Sequence, residues 1–146
     1  MLNFDRGAEN YRKNQVATAT EGQLILMLYD GALRFLTRAK TAIDEKNTPE
    51  SHNYITKARR IILELMVSLD MEKGGEISKN LNSLYFFINQ ELIKANIKKD
   101  KEILDECFGL IKELRETWKE VIEKNKKENT VSVESQTQTK KIDIKN

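Results

Sequence analysis

Residues 20–46, TEGQLILMLYDGALRFLTRAKTAIDEK, decide the fold. Thr20 with Gln23 matches a capping box, in which the hydroxyl accepts an unpaired first-turn N–H and the amide accepts the N–H of the cap. Leu24, Leu28, Ala32, Phe35, Leu36, Ala39 and Ile43 then recur every three or four residues, the apolar stripe of one helix. The stretch stops at Asn47-Thr48-Pro49, and beyond it a long periodic segment followed by a short break repeats along the chain.

Thr48 is expected to cap a second helix, with Pro49 in its first turn, where a missing N–H costs nothing. Its stripe, Ile55, Ala58, Ile61, Ile62, Leu65 and Leu69, runs to about Met71 and the Lys73-Gly74-Gly75 turn. A third helix follows Gly75 to about Asn96 on Ile77, Leu81, Leu84, Tyr85, Ile88 and Leu92. Asp100 opens a fourth, whose stripe of Ile103, Cys107, Ile111, Leu114, Trp118 and Val121 reaches about Asn125. Each helix has roughly 22 to 27 residues, ~33 to 40 Å at 1.5 Å per residue. Matched helices joined by short loops fold back on one another, so the expected fold is all-α, an antiparallel up-down four-helix bundle. The bundle and its arm make one domain, residues 1–125. Residues 1–19 lack sustained periodicity and read as an extended N-terminal arm, with room for a short extra helix. Residues 126–146 are polar, with few large side chains between Thr130 and Thr139, and read as a flexible, disordered C-terminal tail.

Composition excludes most chemistry. The 146 residues carry 25 basic and 23 acidic side chains, and the mixture persists locally, with ten Lys/Arg against nine Asp/Glu in residues 94–128. No basic footprint for nucleic acid survives that count. A lone Cys107 forms no internal disulfide, and MLNFDRGAENYRKN is charged where a signal peptide needs an apolar run. No stretch approaches a membrane span, so a cytoplasmic protein without direct membrane insertion is expected. The single histidine, His52, stands two positions after Glu50 rather than three, so the Glu-x-x-His pairs of a di-iron bundle are missing. Gly74-Gly75 is not followed by Lys-Ser or Lys-Thr and is no phosphate loop. No catalytic residue, metal site or cofactor is expected, and the chain does not read as an enzyme.

What stands out is an excess of apolar residues. A bundle needs one stripe per helix, yet at 100° per residue Leu26 and Leu33 fall away from the stripe of the first helix. Leu63 and Val67 do the same on the second, and Phe86 and Ile93 on the third, with Tyr29, Met66 and Phe108 at the flanks. Rotation of the helices could absorb any one of these. Together they suit a helix-in-groove mode, in which a partner's amphipathic segment lays its anchors between two helices.

The segment Tyr11 to Ala39, YRKNQVATATEGQLILMLYDGALRFLTRA, resembles the opening of the flagellin-specific type III export chaperones, the FliS family. The resemblance continues through Ala58 to Leu69, ARRIILELMVSL, then Gly74-Gly75-Glu76-Ile77, Asn80-Leu81, Leu84-Tyr85, LIKAN at 92–96 and LRETW at 114–118. It spans about residues 4 to 124 and omits the tail. Where the family usually has proline, Glu21 follows Thr20, and an acidic residue suits the positive end of the helix dipole. The resemblance implies a cytosolic chaperone that binds the disordered C-terminal segment of flagellin, stops it polymerising early and assists its delivery to the flagellar export gate. It also implies that Tyr11 and Val16 lie on the bundle as a removable cover for an apolar pocket. Leu26, Leu33, Leu63, Val67, Phe86, Ile93 and Phe108 complete the expected peptide-binding set. The alternative is a helical adaptor or regulator for another amphipathic segment, which composition and spacing alone do not distinguish.

Overall fold

A computed structural model describes the backbone of residues 20–145 and the side chains of residues 20–127. The described residues form four helices, α1 (Glu21–Asp44), α2 (Thr48–Ser68), α3 (Gly75–Lys98) and α4 (Lys101–Lys145). The Thr20–Gln23 capping box forms in both directions, the Gln23 N–H donating to the Thr20 hydroxyl at 3.2 Å and the Thr20 N–H to Gln23 Oε1 at 3.0 Å. At α2 the cap moves by one residue. Asn47, rather than Thr48, accepts the Glu50 N–H at 3.2 Å, and its amide reaches the Glu50 carboxylate at 2.9 Å. The Asn47 amide carries both an acceptor oxygen and a donor nitrogen and so makes both contacts, which a threonine hydroxyl one residue later is not placed to make. Asp100 caps α4 through the N–H of Glu102 at 2.9 Å.

Neighbouring helices run antiparallel. Gly31 and Arg38 of α1 meet Ile61 and Tyr54 of α2; Arg59 and His52 of α2 meet Asn89 and Asn96 of α3; Asp30, Lys40 and Asp44 of α1 meet Arg115, Asp105 and Lys101 of α4. With α3 also packed on α4, the helices form a ring in chain order. The α1–α4 and α2–α3 seams are therefore opposite sides of the bundle. Ala32, Leu36 and Ala39 meet Ile55, Ala58, Ile62 and Leu65, with Ile88, Leu92, Ala95, Leu104, Cys107 and Ile111 completing one core. Alanine or glycine at the closest approaches lets the backbones come together; a Cβ on Gly31 would sit 3.1 Å from the Ile61 side chain. The α2–α3 turn is built on Asp70, whose carboxylate accepts the N–H groups of Glu72 and Lys73. A Cβ on Gly74 would lie 2.8 Å from the Asp70 carbonyl oxygen, so only glycine fits there.

Two residues assigned to the core lie outside it. Ile77, expected in the core, is 72% exposed, because the inward face of α3 starts with Ser78 and continues through Tyr85, Ile88 and Leu92. Val121 is likewise exposed at the far end of the α4 stripe. The backbone of α4 continues to Lys145. No glycine or proline follows Gly109 to stop it. Described side chains of α4 contact α1 as far as Ile122, beside Gly22.

Candidate functional site

The expected binding residues divide between two seams. Register follows from two hydrogen bonds across α2–α3, Arg59 Nε donating to Asn89 Oδ1 at 3.0 Å and the Asn96 amide meeting His52 Nδ1 at 2.9 Å. These pairs hold the two helices level, so Leu63 lies opposite Phe86 on the outer side of the seam. Leu63 is 42% exposed, Phe86 55% and Val67 85%; Ile93, about two helical turns along from Phe86, is half-buried. Ile97, on the same flank by helical phase, is exposed as well. This strip has polar residues beneath it, Asn89 and Arg59, instead of the apolar core.

Leu26, Leu33 and Phe108 belong to the α1–α4 side and are half-buried, with Leu33 and Phe108 packed on the core. Three ion pairs cross that seam: Asp30–Arg115, Lys40–Asp105 and Asp44–Lys101. The structure does not bring the two groups together. Tyr11 and Val16 fall outside the described residues. Tyr29, expected at the flank of the outer strip, is buried instead, and its hydroxyl is hydrogen-bonded to that of Tyr85 across the bundle from α1 to α3. Burial, foremost, raises the pKa of both phenols, which keeps them neutral.

Near the start of α1, a pocket of about 640 Å³ opens between Gly22, Ile25, Trp118, Val121 and Ile122. Trp118 walls it, with its indole N–H donating to the Gly22 carbonyl at 2.9 Å. Thr20, where the arm joins the bundle, stands on its rim. On the α1–α2 side the aromatic rings of Phe35 and Tyr54 stack at 6.2 Å, and Lys57 lies over both. That seam is already covered by its own long side chains.

Sequence reasoning missed Phe87, which is 51% exposed. The signal was present. Phe86 and Phe87 are adjacent and flanked by buried Tyr85 and Ile88, and a helix turning 100° per residue cannot direct all four inward.

Among the described residues no group of His, Cys, Asp and Glu could hold a metal ion, and no helix is long and apolar enough to cross a membrane. Cys107 is buried, and burial first, then the charges of Glu91 and Glu106, push its thiol up to about 12. The unfolded thiol ionises near pH 9.0, so the unfolded chain gives up its proton first and stability falls as pH rises from there towards 12. At pH 8 Cys107 is expected to be labelled by a thiol reagent no faster than the chain opens globally. Labelling faster than unfolding in the same buffer would contradict this burial.

The family model described as flagellar protein FliS matches residues 4–125. Among curated relatives, the flagellar secretion chaperone FliS of Bacillus subtilis is 36% identical over 118 residues, covering 81% of this chain and 87% of that protein. Its counterpart in Campylobacter jejuni is 37% identical over 111 residues, 76% of this chain and 87% of the relative. That of Salmonella typhimurium is 36% identical over 110 residues, 75% and 82% respectively. A chaperone of this kind is not an enzyme class. The chain belongs to the FliS family of flagellar secretion chaperones.

Proposed function

We propose that this flagellar export chaperone works in the cytoplasm, where it binds the C-terminal segment of flagellin, keeps it from polymerising early and helps bring it to the flagellar export gate. The observation that carries this function is the outward apolar strip of the α2–α3 seam, Leu63, Val67 and Phe86, continued by half-buried Ile93. The apolar surface these side chains leave in water in the free chain would be covered only against a partner. An amphipathic helix of the client laid along the seam buries its own apolar face there, as its filament neighbours would do later. Much of the gain is offset by the ordering of a disordered segment, which leaves the complex reversible at the export gate.

Leu26, Leu33 and Phe108 on the opposite side provide a second stretch for a client long enough to pass around the bundle. The arm, residues 1–19, supplies Tyr11 and Val16 as a removable cover for the pocket beside Trp118, a reading supported by Thr20, the residue next in sequence, which lines that pocket. Residues 1–125 form the chaperone domain, with the tail, residues 126–146, outside it.

Co-purification with the organism's own flagellin tests the assignment, using the full client and one lacking its last ~40 to 50 residues, enough for one or two bundle-length helices. Capture of the full client and loss of the truncated one is the expected outcome. Equal capture of both would sink it.

A further inference from the structure

A third side of the bundle has a different character. Between α3 and α4 runs a groove of about 340 Å³, with Phe87 and Leu110 as its apolar walls and Glu91, Glu106 and Glu113 around them. A Cβ added to Gly109 would meet nothing within 4 Å, so the groove is open along α4. Glu106 and Glu113 are seven residues apart and Glu120 is seven further, so by helical phase three carboxylates mark one flank of α4 at intervals of about 10.5 Å. Among the described residues, none of Glu91, Glu106, Glu113 and Glu120 makes an ion pair. Asp105, the other acid lining the groove, is already neutralised by Lys40 of α1. The field of Glu91 and Glu106 is felt inside the bundle, where it adds to the burial of Cys107 in holding that thiol protonated.

We infer that the α3–α4 groove is a further docking surface, whose partner is a helical protein segment with apolar anchors at heptad spacing and a lysine or arginine every seventh residue along one flank. Charge complementarity selects that chemistry. Apolar anchors take up Phe87 and Leu110, while cations at seven-residue intervals meet the glutamates of α4 as flanking charges do in a coiled coil. An acidic helix is rejected by the same carboxylates. The groove lies on neither client seam, and flagellin that crosses between its two stretches over the α1–α2 side leaves it free for the segment.

The probe is a synthetic 21-residue helix with leucine at both apolar heptad positions and lysine at one flanking position per heptad, its binding followed by fluorescence anisotropy. Each exposed ion pair contributes about a factor of two, so the triple variant Glu106→Gln/Glu113→Gln/Glu120→Gln is expected to bind roughly eightfold more weakly. The charge-matched triple Glu45→Gln/Glu64→Gln/Glu72→Gln is expected to bind within about twofold of the parent, and a peptide with glutamate in place of lysine not at all. Phe87→Ser weakens the probe by about tenfold or more through its lost apolar contact. Equal weakening by the two triples would mean diffuse charge attraction and overturn the proposal, as would full binding by Phe87→Ser. Capture of flagellin's C-terminal segment by the groove triple at the parent level is also expected. Its loss there would merge the groove with the client site and overturn a separate surface, leaving the flagellin assignment intact.

Discussion

A chain carrying Phe86→Asp is expected to lose about a hundredfold or more in affinity for flagellin's C-terminal segment, about 3–4 kcal/mol, while melting close to the parent. Phe86 is more than half exposed and contributes little to the core, so a carboxylate there stays in water in the free chain. In the complex the same carboxylate would be stripped of water against the apolar anchors of the client. Leu63→Asp, across the seam, is expected to act in the same direction. Ile93→Asp differs because that side chain is half-buried, and part of its effect falls on stability. Titration calorimetry with the isolated client segment measures the first effect and circular dichroism the second. Unchanged affinity in a folded Phe86→Asp chain would remove the α2–α3 seam from the binding site.

Tyr29→Ala is expected to destabilise the bundle by about 3–5 kcal/mol in urea denaturation, a large part of the ~5–15 kcal/mol of a typical domain. Two losses combine. The ring leaves a cavity between α1 and α3, and the buried Tyr85 hydroxyl loses its hydrogen-bond partner. Replacing both tyrosines by phenylalanine separates the two, since ring volume is kept and no hydroxyl is orphaned. That double variant is expected to stay within about 1 kcal/mol of the parent, whereas Tyr29→Phe alone is expected to cost about 1–3 kcal/mol. If the single phenylalanine variant were as stable as the parent, the hydroxyl pair would carry no stability.

The Tyr29 case shows where helical phase misleads. Counting 100° per residue puts Tyr29 beside the outer strip of α1, 60° from the centre of the stripe at Ala32, and that margin is small enough for packing to decide. Rotation of α1 against the small residues of its neighbours, with a hydroxyl partner waiting on α3, turned the ring inward. Leu63, Val67 and Phe86 lie further around their helices, and no such rotation could bury them without exposing Ile62, Leu65 or Tyr85. They were legible for that reason. Phe108 and Leu33 were ambiguous in sequence because the α1–α4 seam is wide enough to half-cover them.

By itself the sequence determined the number of helices, their breaks and the antiparallel fold, because each depends on residues within a few positions of one another: Thr20 with Gln23, Pro49, Asp70 to Gly75, Asp100. It also determined the family, through motifs spread along residues 4 to 125. Tertiary structure alone decided which helices are neighbours, that the spare apolar residues occupy opposite seams, and that glutamates seven apart on α4 line an open groove. Those properties depend on contacts between residues tens of positions apart, such as Arg59 with Asn89 and Asp30 with Arg115. Local periodicity fixes how far a side chain lies around its own helix, and only packing fixes what stands beside it.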